Sequence, residues 1–401
     1  MSVSIAPILV TTPISLYNFN QFSVVAVLVN AIVLPWVEVM TVLGFISTAL
    51  GAVFLPVAAI LNSLLYLVLI LLNEIVYTFS SLTGACLYFR QPNIVWLVGY
   101  YFVIIKYFNL KTSRPLDRWT FLKVAVVILF FFFIANIGFG QGKELRISVI
   151  DVGQGDSIFV ESPSGKNMLI DGGPKYKKSD AGRKFVLPFL HSRGINKIDV
   201  LVLTHPHDDH VGGLPSVLKD LPVGLVLDSG QPHTSRTYLN FLKIIDSKNI
   251  PYKVARRGLS LDLGGGVKGN VLNPADPFIE ESALNNNSIV IRLVYGKIAI
   301  MLTGDMEKEG EQRVLRYFST GLRSDILKAG HHGSRTSSSI PFLEGVKPEA
   351  ALISVGIKNK FHHPHPSTIK KFEELGIKIY RTDLNGTITV KTDGEKYSIE
   401  R

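Results

Sequence analysis

Charge is spread over this chain so unevenly that its two parts cannot share one kind of core. Of 42 Lys/Arg and 32 Asp/Glu, residues 1–141 hold six bases (Arg90, Lys106, Lys111, Arg114, Arg118, Lys123) and three acids (Glu38, Glu74, Asp117). The first part, residues 1–141, has the composition of a membrane region, and residues 142–401 that of a water-soluble domain. Apolar runs at 22–34, 39–61, 62–79, 94–109 and 121–139 are the candidate spans. A crossing needs about 20 residues, so the first and fourth are short, and Pro35 and Pro56 predict broken or re-entrant pieces. Asn30, Glu38, Asn62 and Glu74 read either as helix-end polar groups or as the lining of a route. Lys106, Lys111, Arg114, Arg118 and Lys123 crowd into one loop, which the positive-inside rule places in the cytoplasm. The run at 121–139 then leads outward, so the soluble part is expected on the extracytoplasmic side of a multi-pass cytoplasmic-membrane protein. No charged segment precedes the first apolar run, as a cleavable signal would require.

From Leu145 the pattern changes to short β-rich runs between Gly, Pro and Asn turns. Arg146–Asp151, Ser157–Glu161, Asn167–Asp171 and Asp199–Thr204 read as strands, with helices at Phe185–Ser192 and Gly212–Lys219. A second series follows: strands near 224–228, 252–256 and 268–272, then Ser288–Tyr295, Lys297–Leu302, Ser324–Lys328 and Ala350–Ser354. Helices are expected at Glu307–Phe318 and Ser367–Leu375. Two strand-rich halves, each closed by helices, predict an αββα sandwich following the α-helical membrane region.

Eight of the ten histidines fall in three loops that each follow a strand. In His205-Pro206-His207-Asp208-Asp209-His210, His205 and His207 can turn toward one ion, and Asp209 and His210 toward a second. Imidazole and carboxylate suit Zn²⁺ and other first-row divalent ions. Cys86 is the one cysteine, so neither a disulfide within the chain nor a thiolate cluster is available. Asp305, in Thr303-Gly304-Asp305 after an apolar strand, is the natural bridging carboxylate. His331-His332-Gly333-Ser334 and His362-His363-Pro364-His365 supply the other two clusters, whereas His191 and His233 read as surface residues. Asp156 and Asp171 sit in Gly-rich turns able to line a site floor, and Asp171 is placed to accept the second N–H of a ligating histidine. The net charge of +10 suits a polyanionic partner, and arises as readily from positive-inside charge or solubility.

The motifs DVGQGDS (151–157), LIDGG (169–173), LTHPHDDHVGG (203–213), NNNS (285–288), LTGD (302–305), LKAGHHGS (327–334) and HPHP (363–366) resemble the metallo-β-lactamase superfamily. More narrowly they resemble the C-terminal domain of the ComEC family of DNA-internalisation proteins in natural competence. Residues 22–89 are similar to the end of that family's permease domain. The resemblance implies DNA and the lipid bilayer as partners, and a nuclease that degrades the strand not transported. It implies two divalent ions, Zn²⁺ or Mn²⁺, held by His205, His207, Asp209, His210, Asp305 and His363. It also implies catalytic roles for Asp209, His331 and His332. Asp156, Asp171, Asn285, Ser288, Lys328, Ser334, Arg335 and His365 are expected around the substrate or behind the ligands, with Lys328 and Arg335 holding backbone phosphate.

The chain departs from the family in three places. A third histidine for the first ion is missing between the hexad and Asp305, where only the poorly placed His233 occurs. His362 stands where Gly precedes HPHP. Family members also have more helices and an OB-like domain, so the chain reads as starting midway through the permease. The missing portion, as a separate subunit, and other competence proteins are then expected partners. Two competing readings stay open: a membrane-anchored hydrolase of another phosphoester, and a catalytically weak domain that guides DNA.

Overall fold

The computed structural model describes residues 11–18, 21–80, 82, 85–88, 92, 94–109, 123, 127, 144–177 and 179–401. The cationic loop and the expected span at 121–139 lie almost wholly outside them. The chain divides into two compact units, Met1–Gly138 with His191–Gly194, and Phe139–Leu190 with Ile195–Arg401, each taken by itself below.

In the first unit, strand β1 (Gln21–Ser23) pairs with β2 (Cys86–Tyr88) around a helical hairpin. Its helices, Ala26–Gly51 and Leu55–Ser80, have 26 residues each. At 1.5 Å per residue each reaches about 39 Å, more than the roughly 30 Å hydrocarbon core. The expectation of pieces broken at Pro35 is corrected, because the helix runs through it. A lost N–H bond is tolerable where a packed neighbour steadies the helix. Pro56 is the second residue of its helix, where no bond is lost. The turn falls at residues 52–54, not between the expected runs at 61/62. Asn62 is part of the packing: Ser47 Oγ donates to Asn62 Oδ1 at 2.8 Å, and Ala58 is buried beside it. Small residues with one polar contact are how apolar helices associate where hydrophobicity gives no preference. Large apolar side chains are exposed, among them Phe45 and Tyr77 on the helices and Val53 in the turn. A shorter helix follows at Ile94–Asn109.

The second unit is an αββα sandwich. Strands β3 (Leu145–Val149), β4 (Ile158–Glu161), β5 (Asn167–Ile170), β6 (Ile198–Leu203), β7 (Val223–Asp228) and β8 (Tyr252–Val254) belong to one sheet. Strands β9 (Ser260–Asp262), β10 (Lys268–Asn273), β11 (Val290–Tyr295), β12 (Ile298–Leu302), β13 (Ile326–Lys328), β14 (Ala350–Ile353) and β15 (Lys378–Arg381) form the other. The chain then returns to the first sheet as β16 (Ile388–Thr392) and β17 (Tyr397–Glu400), giving the order β17-β16-β3-β4-β5-β6-β7-β8 against β15-β14-β13-β12-β11-β10-β9.

Alternation along the strands builds the layers. Leu145, Ile147 and Val149 of β3 meet Ile298, Ile300 and Leu302 of β12 in the core between the sheets. Leu201 and Leu203 of β6 point the other way, under the helices Leu214–Asp220 and Arg236–Ser247. Met301 and Leu327 do the same on the second sheet, under Lys308–Tyr317 and Ile340–Val346. Strands β5 to β8 run parallel, as do β12 to β15. Loops leaving the carboxyl ends of such strands are where open α/β sheets carry their sites, and every histidine cluster is in one.

Candidate metal centre

Loops after β5, β6, β12, β13 and β14 meet, joined by the β3–β4 loop. Gly155 makes that last approach possible: a Cβ there would lie 2.2 Å from the Asp209 carbonyl oxygen. The Asp156 N–H donates to that same carbonyl at 3.2 Å, which seats the loop under the hexad. After β13 the chain takes two consecutive left-handed residues, His331 (φ 47°) and His332 (φ 54°). The left-handed region is costly for non-glycine residues, and here it turns both imidazoles toward the centre. Gly333 follows because a Cβ would strike Pro364 Cβ at 2.7 Å.

Asp305 is the hub. Its Oδ2 lies 3.3 Å from His210 Nε2, 3.5 Å from His332 Nε2, 3.8 Å from His205 Nε2 and 3.9 Å from His331 Nε2. Asp209 Oδ2 is 3.4 Å from His332 Nε2 and 4.0 Å from His210 Nε2. Donor atoms of Asp209, His210, Asp305 and His332 all lie within 4.8 Å of one another. Beside them His205 Nε2 and His207 Nδ1 stand 2.9 Å apart, a second pair of nitrogens aimed together.

The outer nitrogens are fixed. His210 Nδ1 lies 2.7 Å from Asp171 Oδ2, and Asp171 also accepts from the Thr204 N–H and hydroxyl at 2.8 and 2.7 Å. His332 Nδ1 lies 3.0 Å from the Ser354 carbonyl, which can only accept. In the neutral form that a metal ion selects, both rings therefore keep the proton on Nδ1 and present Nε2 as a lone pair facing inward. His210 Nε2, His332 Nε2 and Asp305 Oδ1 are buried with no hydrogen-bond partner. Leaving such atoms unpaired costs about 1–3 kcal/mol each, and a divalent cation among them removes that cost. The residues present fit a metal ion.

Electrostatics agree. Burial opposes charge on His332, yet the Asp305 and Asp156 carboxylates outweigh it and push the imidazole up to about 10. Burial likewise opposes charge on His210, which Asp305, Asp171 and Asp209 together raise well above the ordinary value. The pocket thus holds negative charge that asks for cations. Burial moves His205 the other way, well below its ordinary value, helped by His210.

Several expected residues have other places. Lys328, expected to hold phosphate, is corrected: it is fully buried, its Nζ 2.8 Å from Asp156 Oδ2. The ion pair forms because a buried ammonium requires a buried partner. His363 stands outside the four-donor group, its ring 5.4 Å from that of His331 and 6.4 Å from that of His332. Half-burial and the neighbouring His331 and His332 lower it to about 4. His365 Nδ1 accepts from Ser367 N–H and caps the helix Pro366–Glu374. Ser334 is buried against Thr336, 2.9 Å between their hydroxyls. Arg335 is exposed. Ser288 Oγ accepts from the Asp305 N–H at 3.3 Å, and Asn285 Nδ2 donates to Glu307 Oε1 at 2.9 Å.

The expectation for His191 changes, because it is buried. His233 is half-buried, with its ring 6.4 Å from that of His207. The signal for His233 is its place after a parallel strand, β7, as with the clusters. Glu307 is a residue the sequence reading does not single out, although it lies two residues past Asp305. Its Oε1 is 2.9 Å from His331 Nδ1.

The Metallo-beta-lactamase superfamily model matches residues 150–357, and the Competence protein model matches residues 1–114. The chain is 30% identical over 407 residues to ComE operon protein 3 of Bacillus subtilis (strain 168), covering 96% of this chain and 51% of that one. It is 33% identical over 247 residues to Competence protein ComA of Neisseria gonorrhoeae, covering 61% of this chain and 32% of that one. The chain thus spans about half the length of the first relative and a third of the second. Among solved structures it is similar to the metallo-beta-lactamase fold protein YhfI of Bacillus subtilis, with a TM-score of 0.41 and 13% identity over 62% of this chain and 99% of that one. With its fold and its histidine–carboxylate centre accounted for, the chain belongs to the metallo-β-lactamase superfamily, and its first 114 residues match the Competence protein family.

Proposed function

We propose that the second unit is a metal-dependent phosphodiesterase that degrades the non-transported strand of DNA on the extracytoplasmic side of the membrane. The observation that carries this reading is the group of inward-facing, unpartnered donors around Asp305. Asp209, His210, Asp305 and His332 would hold one divalent ion, and His205 and His207, with Asp305, a second, either Zn²⁺ or Mn²⁺. Ions bound there supply an activated water and neutralise phosphate charge. Asp171 and the Ser354 carbonyl keep His210 and His332 in the ligating tautomer. His331 is a quarter exposed, and its Nδ1 is held by Glu307 at 2.9 Å. It is placed at the mouth to give a proton to the leaving oxygen. Glu307 and Asn285 orient that ring.

The test is the full chain in detergent with Mn²⁺ or Zn²⁺ and linear double-stranded DNA. The expected result is metal-dependent loss of DNA, abolished by His207→Ala or Asp209→Ala. Turnover of small phosphodiesters alone would move the activity to another phosphoester. Tight DNA binding without turnover would make the unit a guide instead of an enzyme. A finer check concerns His331. Its replacement by Ala should slow cleavage of DNA about 10²-fold or more, while a diester with a nitrophenolate leaving group, which needs no proton, should be nearly unaffected.

A further inference from the structure

After β14 the chain forms a loop, residues 356–363, that carries the expected cluster His362-His363 and ends at the mouth of the site. Asn359 ties it into shape: its Nδ2 donates to the Gly356 carbonyl at 3.0 Å and the His363 carbonyl at 2.7 Å, and its Oδ1 accepts from the His363 N–H at 3.0 Å. The loop base is anchored by Gly356 N–H donating to Gln154 Oε1 at 3.2 Å. On this fixed frame the exposed residues are apolar and cationic. Ile357 is 73% and Phe361 51% exposed, and Lys358 and Lys360 lie beside them at the surface. The Phe361 ring lies stacked on His363, centroids 5.8 Å apart at 23°, with Lys360 Nζ 4.9 Å from its centroid. His363 in turn meets His331, centroids 5.4 Å apart. A row of rings therefore leads from the half-exposed Phe361 to the residue proposed to protonate the leaving group.

We infer that Phe361 is a stacking platform for a nucleobase of the strand being cleaved, with Lys358 and Lys360 on its backbone phosphates. Every base offers a π-face, so an aromatic flanked by cations grips a single strand without reading its sequence. Isolated exposed hydrophobics are ordinary. A half-exposed aromatic stacked beside a site histidine and flanked by lysines, on a loop pinned by three hydrogen bonds to one Asn, is arranged for something flat and anionic. This inference rests on the proposed DNA substrate and names the residue that binds it.

The experiment uses the full chain in lipid nanodiscs in EDTA, where binding is read without turnover. Affinity is measured for a short labelled oligothymidylate and for an abasic oligomer of equal length. Phe361→Ala should weaken oligothymidylate binding about tenfold, Phe361→Trp should restore it, and neither should change binding of the abasic chain. Equal affinity of wild type and Phe361→Ala for oligothymidylate overturns the proposal. So does an equal loss on both oligomers, which would mark a general disturbance of the loop. The indole introduced by Phe361→Trp gives one more reading, as the difference in emission between variant and wild type. Quenching of that added emission by brominated lipid, with oligonucleotide affinity unchanged, would assign the loop to the bilayer instead. Base-dependent binding without cleavage in Mn²⁺ or Zn²⁺ would sink the nuclease reading alone. Cleavage with no dependence on Phe361 would sink this one alone.

Discussion

Lys328 is a lysine sealed inside the fold: its Nζ is held by Asp156 Oδ2 at 2.8 Å and the Ala329 carbonyl at 3.0 Å. Asp156 in turn lies 3.3 Å from His332 Nδ1, so the pair stands directly behind a proposed ligand. Lys328→Met should cost about 3–5 kcal/mol, because it strands a buried carboxylate. Adding Asp156→Asn should recover part of that, and thermal unfolding of the two variants decides it. A single variant as stable as wild type would show that the pair holds nothing. Asp171→Asn should leave the fold intact by circular dichroism while weakening metal retention about 10–100-fold, read as metal content after dialysis. Asp171, the hexad and Asp305 are legible in the sequence because each directly follows an apolar strand. The place of Lys328 is not, because a lysine at the end of such a strand looks like a solvent-facing one. Its partner is 172 residues away along the chain, a distance over which no local pattern carries information.

At the scale of elements, the strands are legible wherever Val, Ile and Leu run between turn residues, and their ends shift by only a residue or two. The helix Arg236–Ser247 is absent from the sequence reading. Its buried residues, Tyr238, Phe241, Ile244 and Ile245, are spaced for one face but diluted by polar neighbours. Its clearest signal is Ser235, whose side chain accepts from the Tyr238 N–H. The helix Lys308–Tyr317, which the sequence does predict, carries a device that it does not. Glu311 is buried, and it accepts from the Ser338 and Ser339 N–H groups at the start of the helix Ile340–Val346. Burial dominates those hydrogen bonds and the nearby Lys371, and raises the carboxyl to about 7. The folded state then holds a proton that the unfolded chain, near 4.5, releases. This contribution to stability is complete below about pH 4.5 and is lost as pH rises to about 7, to the extent of about 3 kcal/mol. Glu311→Gln keeps a neutral side chain throughout. The stability difference between variant and wild type, measured by denaturant unfolding, should therefore shift in favour of the variant from about pH 4.5 to about pH 7. A difference that is flat across that window would mean Glu311 is ionised in the fold.

For the whole molecule the decisive quantity is the side of the membrane on which the centre works. Among the described residues, two helices are long and apolar enough to cross a bilayer. Sidedness turns on Lys106, Lys111, Arg114, Arg118 and Lys123, five cations clustered in the sequence. The positive-inside rule predicts that such a cluster stays in the cytoplasm, and on that expectation a further crossing would carry the proposed hydrolase outside. Cys86 is the only cysteine, so a Cys86→Ser background gives a clean reporter. Ser260→Cys, on the exposed surface of β9, should react with a membrane-impermeant maleimide in intact cells. Lys111→Cys should react only after permeabilisation. The reverse pattern would put the metal centre in the cytoplasm, where a strand left outside is beyond its reach. A nuclease confirmed in detergent would then have to act on DNA that has already entered. The chemistry of the centre would survive that result, and its place in DNA uptake would not.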